Sequence, residues 1–284
     1  MPDAPARIAI VTGATSGIGR VTAERLAKQG WTVLCSGRNA QRGHDAVGAI
    51  RHASGNRHVD FLQADLSSIA ATKALGAIIL GRHPRIDLLI NNAGALFDRR
   101  RQTIDGLEMT FALNHLGYFV LTSVLLDALK ATPGSRIVNV ASGAHRGATL
   151  DLDDLQMERH RYSGWRAYQR SKLANILFTR ELARRLGAGP PIVNCLHPGF
   201  VASRFGNDNG LVWRMALRIA KRFAAISSET ASEGLLHLAL DPALAATTGA
   251  YFDRTEPATP DPPALDDRTA RRLWSISADL ARLD

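Results

Sequence analysis

Tyr168-Gln169-Arg170-Ser171-Lys172 sets a phenol and an amine four residues apart, a spacing that places both on one face of a helix. A free phenol titrates at about pH 10, and a neighbouring ammonium favours its ionised form. Such a pair can give a proton to a carbonyl oxygen or take one from an alcohol, as a general acid or base. Ser142 follows an apolar run ending Val140-Ala141, and its hydroxyl can hydrogen-bond the same oxygen as the charge there changes. A Tyr-x-x-x-Lys pair alone arises easily by chance; what lies upstream gives it meaning.

The first apolar run, Ile8-Ala9-Ile10-Val11, leads into Thr12-Gly13-Ala14-Thr15-Ser16-Gly17-Ile18-Gly19 and then directly into a helical pattern. Glycine permits left-handed dihedrals and lets a phosphate approach a helix N-terminus, where unpaired N–H groups and the dipole favour negative charge. Gly13, Thr15, Ser16, Gly17, Ile18 and Gly19 are therefore candidate contacts for a dinucleotide, with a plain tight turn as the alternative. Their spacing differs from the G-x-G-x-x-G fingerprint. At the end of the second run, Cys35-Ser36-Gly37-Arg38-Asn39, an arginine stands where a carboxylate would bond ribose hydroxyls and repel a 2′-phosphate. Arg38 has the charge and forked donors for that phosphate, which predicts NADP(H), with Ser36, Asn39 and Arg20 as helpers. The alternative is a surface charge opening a helix. Asp65-Leu66-Ser67 offers either a carboxylate near the adenine or an ordinary helix cap. Asn91-Asn92-Ala93-Gly94, ending the fourth run, permits close backbone contact with a ligand.

These residues need a frame, and the hydropathy pattern supplies one. Short β-rich runs (Ile8–Val11, Thr32–Cys35, Val59–Leu62, Ile86–Ile90, Arg136–Val140, Ile192–Leu196 and one around Tyr251) alternate with helical stretches over Ile18–Gln29, Ser67–Leu80, Leu107–Leu129 and Tyr168–Leu186. That alternation predicts a parallel sheet sandwiched by helices, an α/β doubly wound fold. A single domain is expected over residues 1–284, with the cofactor-binding and catalytic core at 5–200, a substrate lid and following helix at 201–248, and a tail helix within 256–284. The proline-rich stretch Glu256–Pro263 reads as the nearest thing to a linker, ahead of a helix over Asp267–Arg282.

Taken in order, Thr12 to Gly19, Asn91 to Gly94, Ser142, Tyr168 to Lys172 and Pro198-Gly199 resemble the motifs of the short-chain dehydrogenase/reductase family over nearly the whole chain. The resemblance implies a Rossmann-type fold in which Tyr168 is the acid/base, Ser142 orients substrate, and Lys172 binds the nicotinamide ribose and lowers the tyrosine pKa. Asn114 matches the family asparagine that holds a water for the proton relay. Asn92, Ala93 and Gly94 match cofactor contacts, as do Asp65 and Leu66. Pro198, Gly199, Val201 and Ser203 match the segment on the nicotinamide amide, with serine where threonine is more usual. The run Ser171 to Phe178, the long gap between Ser142 and Tyr168, and His197-Pro198-Gly199 are similar to the retinol dehydrogenase and WW-domain oxidoreductase branch. Members of that branch generally reduce lipophilic aldehydes or oxidise the matching alcohols with NADP(H), and the family often forms homodimers or homotetramers. A secondary-metabolite ketoreductase, or a non-catalytic NADP-sensing interaction protein on the same fold, are the alternatives.

Composition narrows the partners. With 284 residues, 45% hydrophobic and 21% charged, the chain can bury one large core. A net charge of +9 suits a phosphorylated cofactor, nucleic acid or an anionic surface. The basic residues are spread along the sequence without an aromatic-interleaved stripe, so no specific nucleic-acid partner is expected. Cys35 and Cys195 lie in separate apolar runs and read as buried thiols, and no motif indicates a metal. The start, Met1 to Arg7, is unlike a signal peptide, which predicts a cytoplasmic protein. Residues Leu211 to Phe223 alternate Arg214, Arg218, Lys221 and Arg222 with apolar side chains at helical spacing, as a lid over an apolar pocket or a helix making peripheral membrane contact. His115 and His197 are read as packing or hydrogen-bonding residues.

Overall fold

The computed structural model describes residues 7–159, 161–200 and 226–283. Strands β1 (Ile8–Thr12), β2 (Thr32–Gly37), β3 (Val59–Gln63), β4 (Leu88–Asn91), β5 (Arg136–Val140), β6 (Ile192–His197) and β7 (Tyr251–Asp253) run parallel, in the order β3-β2-β1-β4-β5-β6-β7. Side chains alternate across a strand, so Ala9 and Val11 enter one core layer while Ile10 enters the other. Helices α1 (Gly17–Lys28) and α2 (Ala40–Ser54) cover the first face, joined by α7 (Ser228–Leu240). The second face carries α3 (Ile69–Arg82), α5 (Gly117–Lys130) and α6 (Gly164–Leu186). This is the doubly wound α/β arrangement, with the sheet buried on both sides.

Several elements differ from the sequence-based bounds. β4 begins at Leu88, because Ile86 gives its N–H to Thr132 Oγ1 (3.2 Å) and stays out of the ladder. Helix α6 starts four residues before Tyr168, capped by Ser163, whose Oγ accepts from Arg166 N at 3.4 Å. The long helix after Leu107 comprises α4 (Met109–Phe111), a π-helical turn over Ala112–Leu116, and α5. Met109–Lys130 is the one helix among the described residues long and apolar enough to cross a membrane, yet 72% of its apolar window is buried against the rest of the protein. The expected linker is structured: β8 (Glu256–Ala258) pairs antiparallel with β7, and Ala264 in the following 3-10 turn is fully buried. Pro257 is tolerated there because an edge strand leaves one side of its ladder open.

The tail helix, α8 (Asp267–Ala281), packs on the second face. The Trp274 ring meets Phe119 edge-on at 4.9 Å and stacks on Phe178 at 5.9 Å. The lid segment at 211–223 lies outside the described residues.

Candidate active site

β1 is flanked by β2 on one side and β4 on the other, so successive connections leave the sheet in opposite directions and open a crevice at the strands' carboxyl ends. A cleft of about 600 Å³ lies there. Its walls include Gly13, Thr15, Ser16, Gly17, Ile18, Gly19, Arg38, Asp65, Leu66, Asn92, Ala93, Gly94, Pro198 and Gly199, together with Ser142, Tyr168 and Lys172. Val201 and Ser203 lie outside the described residues.

The floor is backbone. Gly13 holds φ +67°, and a Cβ on it would stand 2.8 Å from the Ala93 Cα. A Cβ on Gly19 would meet Asn92 Nδ2 at 2.5 Å and the Gly13 carbonyl oxygen at 2.7 Å. Asn92 Nδ2 donates to the Thr12 carbonyl (2.8 Å), and Thr12 Oγ1 accepts from the N–H groups of Asn92 (2.9 Å) and Ala93 (3.0 Å). This lacing ties the β1 turn to the end of β4. Ser16 begins α1 without a side-chain cap, which leaves first-turn N–H groups for a ligand anion. The residues present fit a dinucleotide.

Beyond that floor, Arg38, Asn39 and Arg42 line the cleft. Asn39 Oδ1 accepts from Arg42 N at 2.9 Å and so caps α2. Two expected helpers are absent from the lining: Ser36 is buried in the strand, and Arg20 pairs with Glu24 at 3.4 Å. Arg42, in the first turn of α2, was not singled out by sequence. Asp65 lines the cleft, but its Oδ1 accepts from Ser67 N (3.0 Å) and Ser67 Oγ (2.7 Å). The cap of α3 is Ser68, not Asp65 or Ser67.

At the opposite wall stand Ser142 and Tyr168, and the serine hydroxyl acts to lower the phenol's pKa. Ser142 Oγ also accepts from Ala144 N at 3.1 Å, fixing the short turn after β5. One helical turn beyond Tyr168, Lys172 is buried and donates to the Val140 carbonyl at 2.9 Å. Burial pushes Tyr168 up to about 12, with the Ser142 hydroxyl acting the other way, and burial pulls Lys172 down to about 7. Desolvation by the protein alone thus disfavours the charged form of each group.

Asn114 does not line the cleft. On the π-helical turn, its Oδ1 accepts from Ala95 N (2.9 Å) and its Nδ2 donates to the Ala95 carbonyl (3.0 Å) and Ser171 Oγ (2.9 Å). It thus joins the strand after β4 to the helix bearing Tyr168 and Lys172, and π turns commonly mark such places. Its neighbour His115 is buried, 2.8 Å from Ser277 Oγ on the tail helix, and burial pulls its pKa down to about 3.

The remaining walls were not read from sequence. Leu96, Met109, Leu113, Trp165 and Phe200 form an apolar side next to Tyr168, with Trp165 and Tyr168 ring centroids 6.0 Å apart. Trp165 stands three residues before Tyr168, a spacing that does place it on the same helix face. His197 also lines the cleft.

The family profile of short chain dehydrogenases matches residues 7–210. Retinol dehydrogenase 13 of Homo sapiens is 39% identical over 284 residues, covering 99% of this chain and 86% of that protein. Among solved structures, an uncharacterised protein from Mycobacterium paratuberculosis superposes with a TM-score of 0.78 at 30% identity, covering 99% of this chain and 96% of that one. An actinorhodin polyketide ketoreductase variant solved with NADPH gives a TM-score of 0.67 at 26% identity, covering 87% and 95%. The chain with this glycine floor and Ser-Tyr-Lys wall belongs to the short-chain dehydrogenase family of alcohol and carbonyl oxidoreductases, in the retinol dehydrogenase-like branch.

Proposed function

We propose that the protein reduces a lipophilic aldehyde or ketone, or oxidises the matching alcohol, with NADP(H). The observation that carries this reading is Ser142 and Tyr168 together, with Lys172 one turn away, on the wall of a cleft whose far end is glycine backbone and arginine. The dinucleotide, when bound, supplies or accepts the hydride. Tyr168 Oη gives its proton to the substrate oxygen in reduction and takes it back in oxidation. Ser142 Oγ hydrogen-bonds that oxygen and fixes its position. Lys172 holds the cofactor ribose and adds positive charge beside the phenol. Asn114 keeps the Ala95 backbone and α6 in register and carries the water of the proton relay.

NADP(H) is favoured over NAD(H) by Arg38 and Arg42 at the end of β2; the one carboxylate lining the cleft among the described residues, Asp65, is engaged by Ser67. The solved relative that carries NADPH supports the same choice. A lipophilic substrate is supported by the Leu96, Met109, Leu113, Trp165 and Phe200 wall and by the name of the human relative. The test is nicotinamide oxidation by purified protein, with NADPH and NADH compared across long-chain, aromatic and retinoid aldehydes and a set of polycyclic ketones. Turnover favouring NADPH on apolar aldehydes supports the proposal. A preference for the ketones moves the reading to a secondary-metabolite ketoreductase, and NADPH binding without any turnover moves it to a sensor.

A further inference from the structure

Among the described residues, Lys172 is surrounded by almost nothing charged. Burial lowers its pKa, and no described carboxylate contributes. The neighbouring polar groups are the Val140 carbonyl on β5, which accepts one N–H at 2.9 Å, and the phenol of Tyr168 on its own helix. Ser142 after β5 and Asn114 on the π-helical turn are uncharged, and His115 on that turn is kept neutral by burial. A second ring completes the setting. The Lys172 Nζ lies 5.7 Å from the ring centroid of Tyr168 and 5.8 Å from that of Tyr118, which comes from α5.

Tyr118 is fully buried, and its hydroxyl has no hydrogen-bond partner. Burial holds its pKa well above the ordinary value, so it is a neutral phenol. What it offers Lys172 is therefore its ring. The face of an aromatic ring attracts an ammonium within about 6 Å, and more strongly where water is excluded.

We propose that Tyr118 is a positioning residue for Lys172: its ring and that of Tyr168 hold the ammonium between α5 and α6, where no counter-ion stands among the described residues. The inference builds on the role given to Lys172 above. In physical terms the two ring faces and one carbonyl replace the carboxylate that a buried lysine would otherwise need, and they keep a share of it charged at neutral pH.

The experiment follows the Lys172 titration in the full-length protein by NMR with lysine labelled at the ε-carbon. The chain has five lysines, Lys28, Lys73, Lys130, Lys172 and Lys221, and the signal lost in Lys172→Arg identifies the one of interest. Tyr118→Phe keeps the ring and leaves the midpoint within a few tenths of a unit. Phenylalanines of increasing ring fluorination at position 118, nearly isosteric but with weaker ring faces, lower the midpoint stepwise. Tyr118→Leu lowers it by about one unit. Should the leucine variant fail to fold, the fluorinated series decides alone. A midpoint that stays fixed or rises through that series overturns the proposal. The readout needs neither cofactor nor turnover, so its failure is distinct from failure of the oxidoreductase reading, which only the turnover assay can produce.

Discussion

At its nucleotide end the cleft presents backbone, with Gly13 at φ +67° and Gly19 pressed against Asn92 and the Gly13 carbonyl; at its reactive end it presents side chains, with Lys172, Asn114 and Ser171 all buried. The first end works by what is missing, because a Cβ on Gly13 or Gly19 would press into the Ala93 backbone, the Asn92 side chain or the Gly13 carbonyl that shape the floor. The second works by polar groups held in the protein interior, each satisfied by a named neighbour. A dinucleotide is bound through many similar N–H groups, whereas proton transfer depends on one phenol at one place. The two ends should therefore fail differently.

The largest effect is expected at the reactive end. Tyr168→Phe removes the proton donor while keeping the ring, and kcat should fall by about 10²- to 10⁴-fold with thermal stability little changed. Next comes Gly19→Ala. Its methyl would have to displace Asn92 Nδ2 or the Gly13 carbonyl, so calorimetry should show a loss of about 1–3 kcal/mol, together with weakened nucleotide binding. Arg38→Asp should spare folding and shift preference: NADPH kcat/KM falls by about 10- to 100-fold relative to NADH, the worth of a charge-assisted contact. Equal loss with both nucleotides would remove Arg38 from the phosphate site.

A different kind of effect, seen only on acidification, concerns the joint between the tail helix and the reactive end. His115 has its pKa pulled from about 6.5 to about 3 by burial. As pH falls from about 6.5 towards 3, the unfolded chain takes up a proton that the folded protein refuses. Stability is thus lost on acidification, at up to about 1.4 kcal/mol per pH unit from this group, and none of this dependence remains above the ordinary histidine range. His115→Phe should flatten that part of the profile in chemical denaturation measured between pH 4 and 8. An unchanged slope would show that other groups carry it.

What could be read from the sequence follows the same division. The glycine turn, the strand ends and the Tyr168–Lys172 pair are local patterns, visible because helix and strand periods place neighbours predictably. How strongly that pair is desolvated was not legible, since that depends on everything packed around α6. The bond between His115 and Ser277 joins residues 162 apart in the chain, and nothing local announces it. β8 was hidden because Pro257 looks like a breaker, and only the edge position of the strand makes it acceptable. Trp165 was within reach, one turn before Tyr168 on the same helix, and was passed over, like Arg42, because neither belongs to a motif.

The most direct test of the account is to titrate NADPH into wild-type protein and Tyr168→Phe, and to follow reduction of the best aldehyde in the same two preparations. The predicted result is that both bind NADPH with affinities within about threefold while the variant loses at least about 10²-fold in turnover. A variant that still turns over at the wild-type rate, or one whose nucleotide binding disappears with its activity, would contradict the division of labour between the two ends of the cleft.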